Sequence, residues 1–140
     1  MHNDDIDVAI EFFDGQSLSF TCKNVGLDGV LAQSDFISLH VPGGDLIGAA
    51  EIAKMKDGVF LLNAARGGVI NEEALLDALE SGKVAGAGLD VFKNEPTPAV
   101  KVLMNGKVSL TPHIGAATGE AQDRIGTELA AHIDSLAASL

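Results

Sequence analysis

The sequence predicts an α/β protein, a doubly wound parallel sheet with helices on both faces, and three observations carry that prediction. Short runs of branched and aromatic residues recur along the chain, stretches of helical character separate them, and the runs are too uniformly apolar to have a face in water. Residues 8–13, 36–41, 59–62 and 84–89 read as strands, with 108–110 a shorter fifth. The clearest helix follows Asn71, an N-cap residue, with Glu72 and Glu73 at the end where the helix dipole favours negative charge. Leu75, Leu76 and Leu79 form its apolar stripe, and Gly82 stands where a left-handed cap ends such a helix. A last helix starts near Gly119, and Ile125, Leu129, Ile133, Leu136 and Leu140 recur on it at helical spacing, which predicts one continuous buried face.

Composition narrows the function. The 140 residues have the length of one domain, and 46% apolar with 21% charged content is that of an ordinary globular chain. Nine Lys and Arg against 20 Asp and Glu, a net charge of −11, exclude a nucleic-acid surface, which needs clustered cations. No apolar run reaches the roughly 20 residues that span a bilayer, and the N-terminus lacks a secretion signal, so the expected location is cytoplasmic. Cys22 stands alone, which leaves no internal disulfide, and no His, Cys, Asp and Glu grouping has metal-ligand spacing.

In a parallel sheet covered by helices, ligands sit at the carboxyl ends of the strands, so the residues after each run carry the chemistry. These are polar and glycine-rich: His40 to Gly44, Asn63 to Gly68, Asp90, and Thr111 to Gly115. They suit the oxidation of a small hydroxy acid. His113 is the candidate base, because an imidazole with an ordinary pKa near 6.5 exchanges protons near neutrality. Glu95 is positioned to accept a hydrogen bond from the other ring nitrogen and favour the imidazolium, and Arg66 offers a planar fork for a carboxylate. Gly67 and Gly68 are expected to let the backbone pass close to a ligand.

Four segments, in the same order and spacing, carry a resemblance: residues 34–42, the Asn63-Ala64-Ala65-Arg66-Gly67-Gly68-Val69-Ile70 block, Gly88 to Phe92 with Asn94-Glu95-Pro96, and Thr111-Pro112-His113-Ile114-Gly115. The sequence resembles the D-isomer-specific 2-hydroxy-acid dehydrogenases over roughly residues 8–133. That resemblance implies an NAD cofactor, a D-2-hydroxy-acid substrate, and Arg66, Glu95 and His113 as the catalytic set. Residues 116–118 and 120–126 point within the family to 3-phosphoglycerate as the acid. The resemblance further implies that Asp90 meets the nicotinamide carboxamide. It also sets Val41, Pro42, Ala64 and Ala65 along the cofactor cleft, with Arg66, His113 and Gly115 facing the same ligand. Asp14 falls where the family's acidic residue bonds the adenosine ribose and selects NAD over NADP, while Asp14-Gly15 is equally an ordinary turn.

The chain departs from the family in one respect above others: no G-x-G-x-x-G follows any strand, and those glycines are what bring the backbone to the pyrophosphate. The sequence therefore predicts that residues 1–140 form a partial, Rossmann-like NAD-binding domain without the first strand, the glycine-rich loop and the substrate domain. Because that first strand is central, its loss leaves an unpaired edge to be met by re-paired neighbours, exchange between copies of the chain in a homo-oligomer, or a missing companion segment. A second reading is a non-catalytic scaffold or binding module that keeps the same core. An acidic response-regulator-like or flavodoxin-like domain shares the alternating pattern but makes the four segments a coincidence.

Overall fold

The structure, a computed structural model, describes residues 5–138, so Leu140, the last position of the C-terminal stripe, lies outside it. The chain opens with a β-hairpin, β1 (Ile6–Glu11) paired antiparallel with β2 (Ser17–Cys22). Gly15, at a φ of 81°, closes the turn, and the Asp14 carboxylate accepts the Gln16 amide at 3.1 Å. This corrects the expectation that residues 8–13 add a strand to the parallel sheet: the hairpin is a separate two-stranded sheet, and Phe12 and Phe13 belong to its turn. The physical reason is local. Asp-Gly makes a tight turn, and the alternation of Leu18 and Phe20 with Ser17, Ser19 and Thr21 has the period of a strand.

Beyond the hairpin the elements alternate: α1 (Leu27–Gln33), β3 (Phe36–Leu39), α2 (Ala49–Lys54), β4 (Val59–Asn63), α3 (Glu72–Ser81), β5 (Val84–Leu89), α4 (Val100–Leu103), β6 (Val108–Leu110) and α5 (Gly119–Ala137). The four later strands form a parallel sheet in the order β3-β4-β5-β6, so the α/β, Rossmann-like class is as the sequence predicts. Helix α3 is capped as expected, since the Asn71 side chain accepts the Ala74 amide at 3.0 Å and Gly82 takes the left-handed conformation at a φ of 82°. Thr118 caps α5 in the same way, accepting from Ala121 at 3.1 Å.

The core lies on one face of this sheet. Leu31, Ile52, Leu75, Leu79 and Val102 from α1 to α4 join Ile37, Leu39, Val59, Leu61, Val84 and Leu89 in one buried cluster. The opposite face is open, and it carries Phe36, 68% exposed, with its ring stacked 5.0 Å from that of Phe60. Among the described residues the helices pack on one face of the sheet only, and the reason is topological. Strands added in one direction through right-handed crossovers place every crossover helix on the same side, so a second helical layer needs strands wound outward from β3 the other way. Among the described residues β3 is instead the edge of the sheet. The expected buried face of the last helix is corrected with it: Ile125, Leu129, Ile133 and Leu136 are each more than half exposed, and α5 buries none of its residues.

Candidate active site

The carboxyl ends of β4, β5 and β6 meet in one group of loops. At the end of β4, Asn63 is buried and folds the chain back on itself, its Oδ1 accepting the Ala65 amide at 3.1 Å and its Nδ2 donating to the Arg66 carbonyl at 2.9 Å. Gly67 then presses against the next loop so closely that a Cβ there would sit 1.8 Å from the Phe92 carbonyl oxygen. Its missing side chain thus serves contact between two loops. Gly68 has open space around it and a φ of 82°. The Arg66 guanidinium is exposed and donates to its neighbour's carbonyl, Ala65 O, at 2.7 Å.

Phe92 joins this loop to the acid. Its amide donates to Glu95 Oε1 at 2.8 Å, while Glu95 Oε2 lies 2.7 Å from His113 Nδ1. A carboxylate can only accept, so His113 Nδ1 carries a proton, and in the neutral ring Nε2 is left as the acceptor. The imidazole side chain is 49% exposed. The hydrogen bond from His113, followed by that from Phe92, holds the Glu95 carboxyl below its ordinary value.

Asp90 closes the group. Its buried carboxylate accepts from Thr111 Oγ1 at 2.5 Å and from the Ile114 amide at 2.9 Å through Oδ1, and from the Gly115 amide at 2.8 Å through Oδ2. Burial alone pushes this carboxyl up, and the three hydrogen bonds outweigh it, so the net direction is down. Between those anchors His113 has a φ of 56°, a left-handed conformation uncommon for a residue with a Cβ.

The sequence-predicted residues are thus gathered unevenly. Glu95 and His113 are bonded, Asp90 and Gly115 are bonded beside them, and Arg66 is connected through the Gly67–Phe92 contact, with no bond from its side chain to either member of the pair. Val41 is half-buried and packs on the core from the end of β3, Pro42 and Ala64 are exposed, and Ala65 is half-buried. Asp14 sits in the hairpin turn, where its carboxylate accepts the Gln16 amide, as the turn alternative that its neighbour Gly15 allowed describes. Asn63, Phe92 and Thr111 were not singled out by sequence reasoning. A strand that ends in Asn before a glycine pair was the available sign for the first, whereas Phe92 acts through its backbone and leaves no residue signature.

A cavity of about 420 Å³ adjoins the pair, lined by Glu95 and His113 with apolar Phe92, Pro96, Leu103 and Leu110. A larger cleft of about 1190 Å³ lies along α3 and α4 and contains none of the predicted site residues. Among the described residues, no three His, Cys, Asp or Glu side chains group closely enough to hold a metal ion, and no helix is long and apolar enough to cross a membrane.

The sequence matches the family described as D-isomer specific 2-hydroxyacid dehydrogenase, NAD binding domain, over residues 13–115. Hydroxypyruvate reductase of Thermotoga maritima is 54% identical over 112 residues, which cover 75% of this chain and 37% of that protein. D-3-phosphoglycerate dehydrogenase of Archaeoglobus fulgidus is 46% identical over 123 residues, 84% of this chain and 23% of that protein. The crystal structure of a glyoxylate reductase from Paecilomyes thermophila superposes with a TM-score of 0.70 at 47% identity, covering 81% of this chain and 34% of the other. The chain therefore spans well under half of the length of these relatives. With sequence and fold agreeing over most of its residues, the chain belongs to the D-isomer specific 2-hydroxyacid dehydrogenases, as part of their NAD-binding domain.

Proposed function

We propose that this chain supplies the nicotinamide-facing part of an NAD-dependent oxidoreductase that interconverts a D-2-hydroxy acid and its 2-oxo acid. The observation that carries the reading is the 2.7 Å bond between His113 Nδ1 and Glu95 Oε2, which leaves Nε2 to face a reactant. In the oxidative direction His113 Nε2 takes the hydroxyl proton, and the Glu95 carboxylate stabilises the imidazolium that results. Arg66 holds the substrate carboxylate with its exposed guanidinium. The nicotinamide, when bound, supplies the hydride acceptor or donor.

The residues present fit one end of that cofactor. Val41, Pro42, Ala64 and Ala65 offer small and apolar groups along the strand ends, with Asp90, His113 and Gly115 at the far side, whereas no glycine-rich loop occurs in the sequence for the pyrophosphate. Residues 1–140 are on this reading a partial dinucleotide-binding domain that needs a complementing segment or a second subunit for full affinity. The substrate we favour is 3-phosphoglycerate, supported by the Archaeoglobus relative, with hydroxypyruvate and glyoxylate as the acids that the other two relatives bring into the comparison.

The chain has no Trp or Tyr, so NADH is titrated in while its own emission is followed. Saturable enhancement below millimolar cofactor supports the proposal, and oxidation of NADH by 3-phosphohydroxypyruvate (the oxo acid of 3-phosphoglycerate), hydroxypyruvate or glyoxylate, in a complemented assembly, ranks the substrates. No binding at millimolar NADH sinks it. The second reading, a non-catalytic scaffold, is favoured by the open apolar face of the sheet and predicts that negative result.

A further inference from the structure

We propose that Asp90 is a positioning residue for His113: its carboxylate clamps the loop on both sides of the histidine and holds the ring where Glu95 fixes its tautomer. This deepens the dehydrogenase reading and rests on it for the role of His113. The geometry is that of a staple. Asp90 is buried at the end of β5 and its amide extends the sheet by donating to the Asn63 carbonyl at 2.9 Å, so the carboxylate projects from a rigid base. Thr111 before the histidine, and Ile114 and Gly115 after it, supply the three donors. All three come from a segment of five residues, and the two between them that make no bond to Asp90 are Pro112 and His113, the latter with its positive φ.

That backbone conformation is costly for a residue with a Cβ, and it persists where the surroundings over-determine it. Here the surroundings are the Asp90 oxygens. Without them Ile114 and Gly115 lose acceptors in a part-buried site, the loop relaxes toward negative φ, and the imidazole swings away from Glu95, which is held independently by the Phe92 amide. The close fit of the clamp is visible at Gly115, where a Cβ would come within 3.0 Å of Asp90 Oδ2. With three donors already on it, the carboxylate acts first on the protein's own loop.

The test uses the isolated chain and needs no turnover. Long-range 1H–15N spectra at a pH where the ring is neutral report which nitrogen of His113 bears the proton. In the parent chain this is Nδ1, and Glu95→Ala sets the reference for its loss. In Asp90→Asn, whose amide nitrogen meets the Gly115 amide donor to donor, we expect the His113 signals to move to the Glu95→Ala positions. Ile114 and Gly115 amides should exchange at least about tenfold faster, while the methyl signals of Leu61 and Leu79 stay in place. Thr111→Val and Gly115→Ala are milder perturbations of the same clamp and should shift the ring signals part of the way, and they carry the test if Asp90→Asn does not fold. Ring signals unchanged from the parent in every folded clamp variant would overturn the proposal. Because NADH is absent from these measurements, failure of the clamp and failure of the dehydrogenase reading are separate results.

Discussion

At the scale of single residues, the two glycines after Arg66 separate two physical roles that look identical in sequence. Gly67→Ala places a methyl group inside the van der Waals radius of a backbone carbonyl, so one of the two loops must move. We expect it to destabilise the chain by at least about 2 kcal/mol, read by urea denaturation. Gly68→Ala meets open space and bears only the left-handed backbone, with an expected cost of about 1 kcal/mol. Equal losses at the two positions would contradict the loop-to-loop contact. The carboxyls give a second residue-scale prediction. Asp90 and Glu95 both titrate lower when folded than their ordinary values of 3.8 and 4.5, so each stabilises the fold fully above those values. That stabilisation is lost as the pH falls through the depressed folded values. Stability should therefore decline below about pH 4.5, and Asp90→Asn should flatten the acid limb of the curve while leaving its shape near neutrality unchanged. An acid limb in Asp90→Asn as steep as the parent's would remove Asp90 from the linkage.

At the scale of elements, helix α3 shows how much is legible when local signals agree. Its N-cap, its left-handed C-terminal glycine and its buried Leu75 and Leu79 all follow from the sequence and are all present. Asn71→Ala should cost about 1 kcal/mol, since the Ala74 amide loses its acceptor, and Asn71→Asp should restore most of it. Thermal unfolding of the three chains checks this; an aspartate no better than alanine would mean that the cap does not hold the helix. Strands β5 and β6 are legible to the residue for the same reason, being apolar runs bounded by turn formers. The hairpin differs from the expectation because residues 8–13 form a run of mainly branched and aromatic residues, whereas β1 itself carries Asp7 and Glu11, and its partner β2 is written in Ser and Thr that composition alone passes over. In the site, Glu95 and His113 were legible as chemistry. Asn63, Phe92 and the Asp90 clamp were not, because most of their bonds run to or from main chain: Asn63 holds the Ala65 amide and the Arg66 carbonyl, Phe92 acts through its own amide, and Asp90 takes the Ile114 and Gly115 amides.

At the scale of the whole molecule, a face of the fold is decided by winding and not by the hydrophobicity of any one segment. The stripe on α5 has the spacing of a core helix, and Leu79 on α3 and Leu129 on α5 occupy equivalent places in their patterns, yet Leu79 is wholly buried and Leu129 is 58% exposed. All four strands run outward from β3 through crossovers of one hand, so the chain covers one side of its sheet and leaves the other side, and the α5 stripe, facing water. In the dilute isolated chain Leu79→Ala should therefore cost between about 2 and 5 kcal/mol, for lost burial and the cavity left behind. Leu129→Ala, identical in composition change, should stay within about 0.5 kcal/mol of the parent. Urea denaturation at low protein concentration measures both. If the two substitutions cost alike, α5 is covered in solution, and the topological account of the open face is wrong for that helix. If the Leu129→Ala cost grows with protein concentration, the cover is a second copy of the chain.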